Sequence, residues 1–213
     1  MEKKLLKTIG NKSVYLVDGE SIRRDTEIDF TDFGQHYRFS FIPANEIWID
    51  EETKPEERKF FIQHALAERE LMKRGEPYEK ALEIADRVEK AERNKVRRQY
   101  SETDGPADES IYVRLWKTFK DVKIYLIDGE MVRELYDPQF VYGGHGLVYD
   151  YVPKNEVWLE EVLNKHERKY ILLHELYERC LMKHGIPYEE AHDDASEYEQ
   201  TIMRDDANEY ENE

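Results

Sequence analysis

The residue types best suited to chemistry lie in two adjoining segments, Leu172-Leu-His-Glu-Leu-Tyr-Glu-Arg179 and Tyr188-Glu-Glu-Ala-His-Asp-Asp-Ala-Ser-Glu-Tyr-Glu199. On a helix, residues four apart project side by side, so His174 and Glu178 share a face. Glu175 stands about 100° round the axis from His174. Gly185, between the segments, is the residue type that ends a helix, and Pro187 the type that starts one. At ~1.5 Å rise per residue, Glu178 lies ~10 Å before Gly185 and His192 ~10 Å after it, so an antiparallel helix pair brings them level. One metal ion between the helices would then touch His174, Glu178 and His192. Imidazole and carboxylate ligands at ~2.0–2.2 Å suit Zn²⁺, and Mn²⁺, Fe²⁺ or Ni²⁺ also accept such a set. The plainer alternative is that His174 and Glu178 form an ordinary intrahelical pair, worth a few tenths of a kcal/mol.

The elements that must position these residues are legible from an internal duplication. At an offset of 110 residues, Tyr15–Glu89 and Tyr125–Glu199 align without a gap, with 30 identities in 75 positions. Tyr15-Leu-Val-Asp-Gly-Glu20 matches Tyr125-Leu-Ile-Asp-Gly-Glu130, and Leu71-Met-Lys-Arg-Gly-Glu-Pro-Tyr-Glu79 matches Leu181-Met-Lys-His-Gly-Ile-Pro-Tyr-Glu189. The expected organisation is repeat one over 1–100, a polar linker over 101–109, and repeat two over 110–213. Each repeat reads strand, strand, strand, helix, helix, an α+β unit with a small antiparallel sheet followed by an antiparallel helix hairpin. Expected strands are Val14–Val17, Tyr37–Ile42 and Glu46–Asp50, then Ile124–Ile127, Leu147–Val152 and Glu156–Glu160. Asp-Gly after each first strand is a turn signal. Expected first helices run from about Glu56 to Arg74 and from about Lys165 to His184, with second helices to about Arg93 and Met203.

An apolar helix bearing His-Glu-x-x-[His], with a third ligand from a following helix, is the core motif of zincin-type metallopeptidases, and Asn155–Glu199 resembles it. The resemblance implies that His174 is a metal ligand, Glu175 a general base acting on water, and His192 the third ligand. Glu178 stands where the second His ligand belongs, so the motif here is His-Glu-x-x-Glu. The implied activity is metal-dependent hydrolysis of a protein or peptide substrate, with zinc or another divalent transition metal as cofactor.

Repeat one keeps His64 and Glu68 but places Ala65 opposite Glu175 and Leu82 opposite His192. It therefore reads as a structural copy. Glu199 is a candidate partner for a His ring N–H, although its counterpart Glu89 persists in repeat one and favours a structural role. His145, in Tyr142-Gly-Gly-His-Gly146, reads first as a surface His in a Gly-rich turn and second as a group that reaches a substrate or oxyanion. Cys180, beside Leu176 and Leu181, is expected to be a buried, inert thiol. The acidic tail from Asp205 is expected to fray.

Composition bounds the rest. The 213 residues carry a formal net charge of -16, with 20 basic and 21 acidic side chains in residues 1–100 and 12 and 27 in residues 101–213. Acidity disfavours nucleic acid as a partner. No stretch approaches the ~20 apolar residues of a membrane span, and Met1–Gly10 lacks a signal-peptide pattern. A single Cys fits a reducing, cytoplasmic compartment. The charge asymmetry supports a second functional class, a non-catalytic acidic protein that mimics nucleic acid and occupies a basic protein partner. A homodimer is also compatible.

Overall fold

The computed structural model describes residues 2–100 and 111–211, with backbone only for 97–100 and 209–211. The expected linker over 101–109 lies outside the described residues. The first repeat comprises β1 (Lys3–Ile9), β2 (Lys12–Val17), α1 (Gly19–Asp25), β3 (Phe33–Gln35), β4 (Glu46–Asp50), α2 (Arg58–Lys73) and α3 (Tyr78–Tyr100). The second follows the same order with β5 (Tyr112–Phe119), β6 (Val122–Ile127), α4 (Gly129–Leu135), β7 (Gly143–His145), β8 (Glu156–Glu160), α5 (Glu167–Lys183) and α6 (Tyr188–Glu211). The chain is α+β, with two repeat-like halves. Two compact units result, one of Met1–Ile22, Asp29–Pro106 and Asp137–Gln139, the other of Arg23–Ile28, Ala107–Tyr136 and Phe140–Glu213. Among the described residues no helix is long and apolar enough to cross a membrane.

Each half holds one four-stranded sheet, ordered β1-β2-β4-β3 and β5-β6-β8-β7. The sheets are mixed, a departure from the expected antiparallel arrangement. The outer pairs are antiparallel, but β2 runs parallel to β4 with Tyr15 opposite Trp48, and β6 runs parallel to β8 with Tyr125 opposite Trp158. Parallel strands need a long crossover, which α1 and β3, or α4 and β7, provide. The central strands are apolar on both faces, as parallel strands covered on both sides must be. In the second unit Ile124, Leu126, Val157 and Leu159 pack toward Ile171 on α5, while Ile127 and Trp158 join Val132, Phe140 and Val152 on the opposite face.

Four expectations are corrected. Tyr37–Ile42 and Leu147–Val152 are not strands: they form turns closed by Phe39 N to Gln35 O at 2.9 Å and Tyr149 N to His145 O at 3.1 Å. Their aromatic, β-branched composition serves burial, with Ile42 and Val152 in the core. The third strand of each sheet is instead Phe33–Gln35 or Gly143–His145, which makes the Gly-rich segment an edge strand. The Asp-Gly pairs begin helices rather than turns, since Asp128 accepts a hydrogen bond from Glu130 N at 3.1 Å and Asp18 one from Ser21 N at 2.9 Å, the usual way an Asp caps a helix N-terminus. Cys180 is exposed, because it falls about 200° round α5 from Glu178, away from the buried stripe. Finally, α6 continues to Glu211, and its Asp206 accepts a hydrogen bond from Tyr170 Oη at 2.9 Å, tying down the start of the segment expected to fray, whose residues 212–213 lie outside the described residues.

Candidate metal centre

The inward stripe of α5 is Tyr170, Ile171, His174, Glu175, Glu178 and Arg179, the i, i+3, i+4 spacing of a buried helix face. Three of its members, Glu175, Glu178 and Arg179, are of the types rarely buried unless paired. Across from them α6 presents Ala191 and Ala195, both fully buried. These small residues let the helices approach closely, so side chains from the two helices meet.

The meeting point is the Glu178 carboxylate. Its Oε2 lies 2.9 Å from Nδ1 of His192 and 3.5 Å from Nε2 of His174, and its Oε1 lies 2.9 Å from Nε2 of His145. The His174 and His192 rings meet edge to face at 4.9 Å. His174 turns its other nitrogen, Nδ1, toward Glu199 Oε2 at 3.0 Å. His174, Glu175, Glu178, Glu199 and His145 are all buried, whereas the His192 side chain keeps 38% of its surface exposed. The level estimated for Glu178 and His192 therefore corresponds to direct contact.

The electrostatics follow from this crowding. Burial works against a charged His174 ring, but the Glu178 and Glu199 carboxylates outweigh it and raise the ring to about 10. Burial likewise disfavours Glu178 as an anion, yet His145, His174 and His192 together hold it well below the usual carboxylate range. Among the described residues Glu175 has no such set of donors. Burial dominates, the neighbouring carboxylates add to it against the pull of His174, and its carboxyl is raised to about 8.

Two overlapping groups each offer donor atoms within 4.8 Å of one another: His174, Glu178 and His192, and His145, Glu175 and Glu178. The first fits a tetrahedral metal. At metal–ligand distances of ~2.1 Å, ligand atoms stand about 3.4 Å apart. The contacts of Glu178 Oε2, at 2.9 and 3.5 Å, bracket that spacing. Glu199 at His174 Nδ1 leaves Nε2 facing the carboxylate, the arrangement in which a metal-ligating His is held by a second carboxylate. Uptake of a cation would require His174 to give up its proton.

Two residues carry more of the site than their sequence contexts suggest. Glu199 faces Nδ1 of His174 at 3.0 Å as Glu89 Oε2 faces Nδ1 of His64 at 2.9 Å, so the persistence of the Glu in repeat one reflects a shared His–Glu pair. His145, first read as a surface residue, is fully buried on β7. Tyr142, at a positive φ of 59°, turns the chain into β7, and its N–H donates to Glu160 Oε1 at 3.0 Å. The signal available in the sequence was position 35, where the corresponding residue of repeat one is Gln, another side chain with one donor and one acceptor end.

The space for Glu175 has a local cause. A Cβ on Gly143 would stand 2.8 Å from Ile171 Cγ2 and 3.0 Å from Glu175 Oε1. In repeat one the corresponding residues are Phe33 and Ala65, and the Phe33 ring lies over Phe61 at 5.5 Å and His64 at 4.8 Å. The halves fill the same volume with Phe and Ala, or with Gly and Glu. No family model matches the chain, and neither a curated protein nor a solved structure matches it at a significant level.

Proposed function

We propose that the second repeat binds one divalent metal ion, zinc or a similar transition metal, on His174, Glu178 and His192, and acts as a zincin-like hydrolase on a peptide bond or a related acyl bond. The observation that carries this reading is that the donor triad and a buried carboxyl, Glu175, occur in the same repeat, while the first repeat has Leu82 and Ala65 in two of those places. When bound, the metal would supply positive charge that polarises water and carbonyl oxygen and keeps Glu175 ionised at neutral pH. The chain's own groups do the rest. Glu175 takes a proton from water and returns it to the leaving amine, Glu178 and the two imidazoles fix the cation, and Glu199 holds the His174 ring.

Metal analysis of protein purified without a His tag tests the binding step. Close to one ion per chain is expected, and less than about 0.2, with no affinity for added Zn²⁺, ends this reading. Glu175→Gln tests the chemistry. It should retain the metal and lose about 10²–10⁴-fold in hydrolysis of a peptide library, the usual contribution of a general base.

A second reading rests on α6, whose Glu189, Glu190, Asp193, Asp194 and Glu197 are exposed. Such a row suits a basic protein partner that ordinarily holds nucleic acid. Binding of that kind should release steeply with salt and survive Glu175→Gln.

A further inference from the structure

Gln35 and His145 occupy the same place on the edge strands of the two halves, and their side chains make the same two contacts. Gln35 Oε1 accepts a hydrogen bond from Tyr37 N at 2.7 Å, and its Nε2 donates to Glu68 Oε1 at 2.7 Å. His145 Nδ1 accepts from Leu147 N at 3.1 Å, and its Nε2 stands 2.9 Å from Glu178 Oε1. An amide can serve this place in one orientation only, oxygen toward the N–H and nitrogen toward the carboxylate. The imidazole is constrained in the same way. A backbone N–H can only donate, so Nδ1 carries a lone pair and a neutral ring has its proton on Nε2, facing Glu178. A ring in that state has no lone pair on Nε2 to offer a metal.

We infer that His145 is a positioning residue, an Nε2–H donor that occupies Oε1 of Glu178 and leaves Oε2 as the ligand atom facing His174 and His192. The inference rests on the metal-binding reading above and deepens it. It decides between the two overlapping donor groups: His174, Glu178 and His192 hold the ion, while His145, Glu175 and Glu178 form a buried support beside it. It also makes Glu178 a single-oxygen ligand. The carboxylate is held from both sides, by His145 on one oxygen and by the imidazoles on the other, so its orientation is fixed before a cation arrives. The two atoms stand at hydrogen-bond distance but away from a linear N–H···O arrangement, and the tautomer of the ring decides whether Nε2 donates there.

The test uses the full chain in two experiments. Long-range ¹H–¹⁵N correlation spectra of the imidazole rings read the His145 tautomer in metal-free protein, and the Nε2–H pattern is expected. Competition titration with a chromophoric zinc chelator then reads stoichiometry and affinity. One ion per chain is expected, with H145Q keeping the affinity within about threefold and H145A losing about 10–100-fold, the usual cost of removing a ligand's supporting partner. Thermal melts identify a variant that has failed to fold, and if H145A fails, H145Q and the tautomer decide. An Nδ1–H tautomer overturns the inference. So do two ions per chain falling to one in H145Q, which would make His145 a ligand, and so does an H145A affinity equal to that of the parent. A parent chain that binds no zinc while His145 carries the Nε2 proton overturns the metal reading and leaves the His145–Glu178 pairing standing.

Discussion

The two halves share a frame of buried charge and differ in how it is balanced. In the first, His64 lies 2.9 Å from Glu89 and 3.7 Å from Glu68, Gln35 donates to Glu68, and Arg93 binds Glu57 and Glu89 at 2.8 Å each. The Arg93 guanidinium also sits over the Phe60 ring at 4.5 Å. Cationic side chains thus neutralise the carboxylates from inside. In the second half the position of Arg93 is Met203, and that of Leu82 is His192. The helix no longer carries that Arg, Glu167 (the counterpart of Glu57) pairs with Arg23 instead, and an imidazole has appeared at the open end of the network. One scaffold supports either a self-neutralised ion cluster or a donor set awaiting a cation, and a handful of side chains decides which.

Exchanging those side chains should break the distinction. His192→Leu in the second half is expected to weaken zinc binding by more than about 100-fold, beyond the 10–100-fold cost of losing an outer partner, in a chelator competition titration. The reciprocal Leu82→His should add a second, weaker equivalent, because His64 and Glu68 already stand as His174 and Glu178 do. If stoichiometry stays at one, the first repeat is closed to cations for reasons beyond residue 82.

A smaller effect concerns stability. Arg93→Met copies the second half but takes the guanidinium away from the Glu57 and Glu89 carboxylates. Removing one partner from a buried ion cluster costs about 3–5 kcal/mol, readable as a lowered urea midpoint. A loss below about 1 kcal/mol would mean that these carboxylates find other partners or take up protons at little cost.

The subtlest difference lies in pH. Burial opposes charge on His64, but Glu68 and Glu89 outweigh it and raise the ring from 6.5 to about 9. A group whose folded-state value is raised stabilises fully below its unfolded value and loses that contribution as pH rises. The stability gap between the parent chain and His64→Gln should therefore be constant below about pH 6.5 and shrink through about pH 9. A gap that widens with pH would show that His64 is held neutral.

The helix hairpins and the level of Glu178 with His192 were legible in the sequence, because 3.6-residue periodicity and the Gly185-Ile-Pro187 break fix geometry locally. The sheet was less so. Tyr149 and Val152 have strand-forming chemistry, yet their backbone closes turns, since composition reports burial and the pairing partner lies far away in sequence. His145 was obscured for a related reason. Two flanking glycines suggest a mobile turn, and only the register of β7 against β8, with His145 opposite Val157, shows that the ring is held in the interior.

The pairing of Gly143 with Glu175, and of Phe33 with Ala65, bears on how duplicated genes drift apart. Phe with Glu would overfill the space beneath the edge strand, whereas Gly with Ala would merely leave it underfilled. Whichever half kept the older pair, a passable route to the other runs through the small–small intermediate. The order of replacement is thereby constrained, with the smaller residue arriving first in either direction. A repeat that loses its carboxyl remains foldable at once, and the aromatic ring that later fills the gap makes return difficult.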